Sequence, residues 1–246
     1  MKTIIRKSVL TVALLSLAIM ATLGQNYQGV AIYKTVRDLG SMSVETNGMT
    51  DEMKSQIATL MQQRAQKTFI LSFSDTEASW VESKNPDRKR KYRDISKSVY
   101  IEEADIMGDT YLIKDKLKPQ DWKLTEETKQ IGPYTAKKAT QIRTWQSIVK
   151  GDKNSTMRTD TVEVVAWYTL EVPVTHGPNT YWGLPGLVLT LDDGKMTYEC
   201  SSVTTDPDQE LIIAKPNIGK KVSQEEFIKI RKEKAGQLLK SFGGDD

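Results

Sequence analysis

Two side chains able to do chemistry each occur once in this sequence: His176 is the only histidine and Cys200 the only cysteine. A histidine is the usual proton shuttle near neutral pH, and a thiolate is a nucleophile. Neither residue lies in a recognisable catalytic pattern, since the sequence has no Gly-x-Ser-x-Gly and no His-Glu-x-x-His. We therefore expect a loop-stabilising or exposed His176, a buried Cys200, no catalytic residue, no metal site and no cofactor. The protein is predicted not to be an enzyme.

The segment from Gly177 to Leu189 is the most unusual part of the chain, because it combines two prolines, three glycines and two aromatic residues. Such a segment must follow one specific irregular path. Two roles stay open: the segment is structural scaffold, or its apolar side chains form the lip of a pocket. The candidate binding residues are Tyr181, Trp182, Gly183, Leu184, Pro185, Gly186, Leu187 and Val188.

A second candidate surface is a methionine-rich helix. Apolar residues recur three or four apart between Thr50 and Gln66, which predicts an amphipathic helix over this range. Methionines on one face serve either as ordinary core or as an adaptable ligand wall. The candidate ligand-facing residues are Met53, Ile57, Leu60 and Met61.

The elements that must position these residues are mostly strands. Alternating apolar and polar residues predict strands at 28–36, 68–74, 78–82, 98–102, 110–114, 122–129, 134–144, 162–172, 186–191 and 195–202. Asp192-Asp193-Gly194 is typical of a hairpin turn, and Ser223 to Glu226 forms a capping box that opens a last helix. We expect an α+β protein, mainly β with two helices. Its antiparallel sheet is strongly curved, like the half-barrel clam of periplasmic lipoprotein carriers, with the methionine-rich helix on the concave face and the last helix outside.

Two polar stretches are expected to lie outside this sheet. The basic run from Arg88 to Lys91, with Tyr92 and Arg93, favours an exposed hairpin tip over a nucleic-acid patch. Residues 146–160 are polar and predict a loop between two strands.

The charge balance depends on the first residues. Lys2, Arg6 and Lys7 precede an apolar run from Val9, and small residues precede Gln25, which is typical of a secretory signal peptide. A membrane anchor is the competing interpretation, but the apolar run is shorter than the roughly 20 residues that a spanning helix needs. Removal of residues 1–24 leaves 32 basic and 32 acidic side chains. We therefore expect an exported single domain over 25–246, with no nucleic-acid partner and no membrane anchor after cleavage.

Residues 182–189, WGLPGLVL, resemble the signature of the GLPGLI family of exported bacterial proteins, with Val188 in place of the final isoleucine. The similarity extends to the segments 121–124, 127–131 and 166–168. The resemblance implies a signal-bearing protein of the Gram-negative cell envelope, periplasmic or secreted. It implies no activity, because the family has none established.

Two hypotheses for function follow. The first is a non-catalytic periplasmic protein that binds an apolar or amphipathic ligand between the sheet and the methionine-rich helix. The second is an envelope protein with a closed core that binds a protein partner, such as an outer-membrane transport system, through the 177–189 segment.

Overall fold

The computed structural model describes residues 27–37, 50–150, 155–205 and 211–242. The predicted signal peptide lies outside these residues. The described chain is mainly β, with 55 % strand, two helices and a large, open, curved sheet, which confirms the predicted fold class. Within the described residues, neither helix combines the length and apolar character needed to span a membrane.

The elements follow one another as β1 (Gln28–Arg37), α1 (Asp51–Ala65), β2 (Lys67–Ser74), β3 (Glu77–Glu82), β4 (Lys91–Asp94), β5 (Val99–Ile106), β6 (Asp109–Lys116), β7 (Lys123–Ile131), β8 (Tyr134–Lys150), β9 (Ser155–Thr169), β10 (Leu187–Asp192), β11 (Met196–Thr205), β12 (Lys220–Val222) and α2 (Gln224–Phe242). The twelve strands form one sheet in the order β12-β6-β5-β4-β3-β2-β1-β11-β10-β9-β8-β7. Neighbours pair antiparallel except β12, which runs parallel to β6.

The strong curvature of the sheet follows from two strands that line the same cleft. A single cleft is lined by residues of β5 and β8, although seven strands separate them in the sheet order. Strands are spaced roughly 4.8 Å apart, so in a flat sheet these two would lie about 38 Å from each other. The sheet therefore curls until its two ends face each other across the concave side.

The concave face carries the main core. Alternation along β1 turns Ala31, Tyr33 and Thr35 inward, where all three are buried. Gly29 continues this face and leaves room for its neighbour, because a Cβ there would lie 2.6 Å from the ring of Phe73. The remaining concave space is filled by residues 170–186, the irregular connection between β9 and β10, here called the crossing segment. Its residues Val172, Val174, Tyr181 and Leu184 belong to the main core cluster.

Helix α1 forms where the sequence predicts it, with its first turn capped by Thr50, whose Oγ1 accepts from the Met53 amide at 3.3 Å. Its expected packing on the concave face is wrong for the described side chains: Met53 is 49 % and Leu60 is 55 % exposed. The crossing segment takes the place that we assigned to the helix. The side chain of Met61 lies outside the described residues.

Helix α2 confirms the predicted capping box, since the Ser223 amide donates to Glu226 at 2.7 Å and the Glu226 amide to Ser223 at 3.2 Å. Phe227 packs edge-on against Tyr111 of β6 with ring centroids 5.8 Å apart. The helix thus docks on one end of the sheet as expected.

Two expectations for the polar stretches are wrong. The basic run is a turn only as far as Arg90, because Lys91 begins β4, in which Tyr92 and Arg93 are buried. Residues 146–160 are no simple loop, since β8 and β9 remain paired as far as Lys150 and Ser155. Their conformation is that of a paired two-stranded ladder, in which main-chain hydrogen bonds accept polar side chains.

Candidate functional site

The crossing segment is fixed to the concave face by bonds to strands far away in sequence. The ring nitrogen Nε2 of His176 lies 3.0 Å from the Ser74 carbonyl oxygen at the end of β2. The side-chain amide of Asn179 donates to the Tyr198 hydroxyl on β11 at 2.9 Å. These contacts hold an irregular backbone in one path across the sheet.

Arg93 is the strongest of these attachments. Arg93 is 3 % exposed, and its guanidinium donates to Nδ1 of His176 at 3.2 Å, to the Asn179 carbonyl at 3.0 Å and to the Gly177 carbonyl at 2.5 Å. Burial lowers the pKa of Arg93 to about 10, so it stays charged at neutral pH. One buried cation of β4 therefore organises the middle of the crossing segment.

His176 is fully buried, as the loop-stabilising hypothesis requires. Because an arginine can only donate, Nδ1 is the acceptor and Nε2 carries the proton that is donated to Ser74. Burial and the charge of Arg93 lower the pKa of His176 to about 3. A neutral, buried imidazole bonded to Ser74 and Arg93 fits the loop-stabilising role.

The predicted binding residues divide between the core and the surface. Leu184, Leu187 and Val188 are buried in the main core. Tyr181 is also buried and donates its hydroxyl hydrogen to Asp193 at 3.1 Å. Trp182 is half-buried and lines a cleft.

The remaining predicted residues shape the backbone. Gly183 adopts a φ of +95°, which favours glycine. Gly186 lies against β9, where an added Cβ would stand 2.0 Å from the Thr169 carbonyl oxygen. Pro185 is exposed between them. The glycines of the motif are therefore explained by a positive φ and a close backbone contact.

One cleft of about 400 Å³, here called the aromatic cleft, opens beside the crossing segment. Its apolar wall includes Phe69, Trp80, Met196 and Tyr198. The ring of Phe69 stacks on Trp80 with centroids 4.8 Å apart and planes 9° apart, and Tyr198 meets Trp80 edge-on at 6.1 Å. Together they give a firm apolar surface with one half-buried ring, that of Phe69.

The rim of the aromatic cleft consists of ion pairs. The Nζ atoms of Lys91, Lys67 and Lys89 lie 3.2, 2.9 and 3.5 Å from carboxylate oxygens of Glu102, Glu82 and Asp105, respectively. Each of these lysines therefore faces a carboxylate. The rim presents both charges side by side, which suits a neutral or zwitterionic polar group better than a strongly charged one.

A second cleft of about 470 Å³, here called the junction cleft, lies where β5 and β6 approach β8. Trp182 and Thr180 of the crossing segment form one side, and their carbonyls accept from Trp122 Nε1 at 2.8 Å and from Gln120 Nε2 at 2.7 Å. Tyr100 donates to Glu102 at 2.6 Å on the opposite side. Burial raises the pKa of Tyr100 well above its usual value, so this hydroxyl remains a donor.

Cys200 is half-buried on β11. Burial raises the pKa of its thiol to about 12. The thiol is therefore protonated at neutral pH, although Cys200 is less buried than we expected. Among the residues that the structure describes, no group of three or more His, Cys, Asp or Glu side chains is placed to hold a metal ion.

The site contains residues that the sequence analysis missed: Phe69, Trp80, Lys91, Arg93, Glu102, Asn179 and Tyr198. The short alternation Lys91-Tyr92-Arg93 carried a signal, because a tyrosine between two cations is compatible with a strand whose cations face inward. Taken together with Arg88, the same cations form one basic run, and that run predicts an exposed turn instead of a strand.

In the comparison with known proteins, one family model matches part of the chain. Residues 122–190 match a family described as "Protein of unknown function (Porph_ging)". This region includes the crossing segment and β8, one wall of the junction cleft. None of the curated proteins compared with the chain matches it.

Solved structures give the fold. Two structures of PNGF-II, in space groups C2 and P21, resemble the chain with 16 % and 17 % sequence identity and TM-scores of 0.50 and 0.51. The matches cover 85 % and 86 % of this chain but 33 % and 34 % of PNGF-II, so the chain spans about a third of that protein. At this identity the likeness shows the fold alone. The comparisons therefore establish a curved β-sheet fold and a central region that matches a family of unknown function.

Proposed function

We propose that this protein is a non-catalytic binding protein whose aromatic cleft takes a small amphipathic ligand. The observation that supports the proposal is the pairing of an apolar wall, formed by Phe69, Trp80 and Met196, with a rim of ion pairs in one cleft. Ligand sites are mostly apolar concavities with a few placed polar groups, and about 400 Å³ is within their usual range of 300–1,000 Å³.

The ligand is oriented by this asymmetry. Its apolar part lies over the Phe69 ring, which stacks on Trp80 and cannot tilt freely. Its polar part meets the Lys91 and Glu102 pair, where both an ammonium donor and a carboxylate acceptor are present. A zwitterionic head group satisfies both without leaving a buried charge unpaired.

The ligand is small because the concave face is already occupied. A carrier of large lipids needs an open space between sheet and helix, whereas here Val172, Val174 and Leu184 of the crossing segment fill the core. The ligand therefore lies beside the crossing segment, at the edge of the concave face.

Helix α1 is proposed to cover the apolar end of the ligand. It ends at Ala65, two residues before Lys67, which lines the aromatic cleft. Met53 and Leu60 are exposed and Ile57 is half-buried, so part of the candidate face, which also includes Met61, is free for a ligand. Methionine side chains adapt to ligands of varied shape.

The export of the protein and its membership in the GLPGLI family are parts of the same proposal. The predicted signal peptide supports export to the periplasm or beyond. The resemblance at 182–189 lies inside the matched region 122–190. The family matched there bears a different name, so we infer the GLPGLI relationship from the residues alone.

The alternative, a protein-docking surface on the 177–189 segment, is less well supported. Leu184, Leu187 and Val188 are buried, and a docking surface needs exposed anchors.

The aromatic cleft is tested by titration calorimetry with hexylphosphocholine, a small zwitterionic amphiphile, below its micelle concentration. We expect measurable binding by the unmodified protein and at least about tenfold weaker binding by Phe69→Ala, which removes the half-buried ring. Leu124→Ala is the matched control, because Leu124 is exposed on β7 and lines neither cleft. Equal binding by the two variants, or no binding by the unmodified protein, contradicts the proposal.

A further inference from the structure

The two clefts are separated by a narrow hollow rather than by solid core. This hollow has an empty volume of about 160 Å³, too constricted for a water molecule. It shares Trp80, Lys91 and Asn179 with the aromatic cleft and Tyr100 with the junction cleft. Glu102 lines both clefts directly. The clefts are therefore two ends of one groove that is pinched in the middle.

The ammonium group of Lys91 makes the pinch. Its Nζ lies 2.7 Å from Oδ1 of Asn179 and 3.2 Å from Oε1 of Glu102. It thereby links β4 to β5 and to the crossing segment beside the hollow. The other oxygen of Glu102 accepts from Tyr100 at 2.6 Å, which keeps the carboxylate in place for Lys91.

Asn179 and Lys91, which meet at the pinch, differ in how far their side chains can move. Asn179 is fixed on both sides, because its carbonyl accepts from Arg93 at 3.0 Å and its side-chain amide donates to Tyr198 at 2.9 Å. Its φ of +54° is an unusual conformation that these contacts maintain. Lys91 has a flexible four-carbon stem, and rotation about that stem withdraws the ammonium without moving the backbone.

We propose that Lys91 is a specificity-determining latch, whose displacement joins the aromatic and junction clefts into one groove for an elongated, single-chain amphipathic ligand. This inference rests on the proposed function. A short ligand fits the aromatic cleft with the latch closed. A long ligand keeps its chain over Phe69 but places its head group at the outer rim pair of Lys89 and Asp105. Its chain then extends past Asn179 toward Trp182 and must break the two contacts of Lys91, so the latch lowers the affinity for long chains selectively.

The test compares hexylphosphocholine with tetradecylphosphocholine, both below their micelle concentrations, by titration calorimetry on the whole protein. The measured quantity is the ratio of long-chain to short-chain affinity. In Lys91→Met, which keeps the aliphatic stem and removes the ammonium, we expect this ratio to rise about tenfold, equivalent to about 1.4 kcal/mol. Tetradecylphosphocholine should bind with a stoichiometry of one molecule per protein.

Lys138→Met is the matched control, because Lys138 is paired with Glu127 of β7 and lines neither cleft nor the hollow. Its ratio should stay within about twofold of the unmodified protein. Asn179→Gly is the second variant if Lys91→Met does not fold, because glycine accepts the positive φ and removes the Oδ1 acceptor. It should raise the ratio in the same direction.

The outcomes separate the two proposals. If hexylphosphocholine binds but the ratio is unchanged in the folded latch variants, the latch is wrong and the aromatic cleft stands. A rise of the same size in Lys138→Met also overturns the latch, since the effect then does not depend on the ammonium group beside Asn179. If hexylphosphocholine does not bind the unmodified protein, both proposals fail.

Discussion

The guanidinium of Arg93 donates to the imidazole of His176 across 3.2 Å inside the protein core, a contact between residues 83 positions apart in the chain. A cation and a neutral histidine are unusual partners in a core, because burial removes the water that would solvate the charge of Arg93 and the ring nitrogens of His176. This hydrogen bond attaches the irregular crossing segment to β4. Each cleft is lined by a residue that follows His176 closely in the same segment, Asn179 in the aromatic cleft and Thr180 in the junction cleft.

Removing the Arg93 guanidinium should destabilise the fold strongly. Arg93→Met leaves Nδ1 of His176 and the carbonyls of Gly177 and Asn179 buried without their donors, and we expect a loss of about 3 kcal/mol or more in the free energy of unfolding. Urea denaturation measures it. Lys138→Met, which removes a surface pair with exposed Glu127, should cost less than about 1 kcal/mol. Similar losses for the two variants would refute the attachment.

Stability should fall as the pH drops from about 6.5 toward 3. The pKa of His176 is about 3 in the fold, against about 6.5 in an unfolded chain. The unfolded chain therefore binds the proton first, and the stabilisation, complete above about pH 6.5, is lost on acidification. We expect a slope of about 1.4 kcal/mol per pH unit below about pH 6, measured by urea denaturation between pH 4.5 and 7.

Carboxylates contribute at lower pH. Burial opposes ionisation of Asp94, but hydrogen bonds from Ser96 and Lys97 hold the pKa of its carboxyl well below the usual range, and its contribution is lost only below about pH 4. His176→Gln, which keeps a donor and cannot titrate, should therefore flatten the slope above pH 4.5. An unchanged slope in this variant would show that another group titrates.

Two glycine substitutions should act in opposite directions. Gly186→Ala places a Cβ 2.0 Å from the Thr169 carbonyl oxygen, which forces β9 and β10 apart and should lower the melting temperature by several degrees. Gly236→Ala meets no atom within 4 Å in the middle of α2 and should stabilise by about 0.5–1 kcal/mol through helix propensity. Thermal unfolding measures both. A neutral Gly186→Ala would exclude the close contact.

Cys200 should be slow to react in the folded protein. Because burial raises the pKa of its thiol to about 12, the thiolate fraction at pH 7.5 is minute. We expect iodoacetamide to alkylate the native protein at least about tenfold more slowly than the urea-unfolded chain, as followed by mass spectrometry. Comparable rates in the two states would mean an exposed, ordinary thiol.

The sequence was sufficient for elements defined by their own periodicity. Alternation located β1 and the β10–β11 hairpin, and the capping box located α2, because these signals are local. The interior of the sheet was not accessible in this way. Lys91 and Arg93 are cations whose partners, Asn179 and His176, lie more than 80 residues away, and local composition places such residues on the surface.

The 177–189 segment shows the same limit of prediction from local sequence. Its prolines and glycines correctly indicated an irregular path, but whether Tyr181 or Leu184 lines a cleft or fills the core depends on what lies opposite. The strands opposite were known only as separate predictions. Of the helix residues, Met53 and Leu60 have the spacing of a core face, yet the crossing segment occupies the space that such a face would fill.

The central claim is that the aromatic cleft is a ligand site, and a crystal structure of the protein with hexylphosphocholine tests it most directly. We expect to find the alkyl chain over the ring of Phe69 and beside Met196, with the zwitterionic head group at the pair formed by Lys91 and Glu102. An aromatic cleft that stays free of the amphiphile in crystals that hold it elsewhere, or that contain none at saturating concentration, would contradict the account.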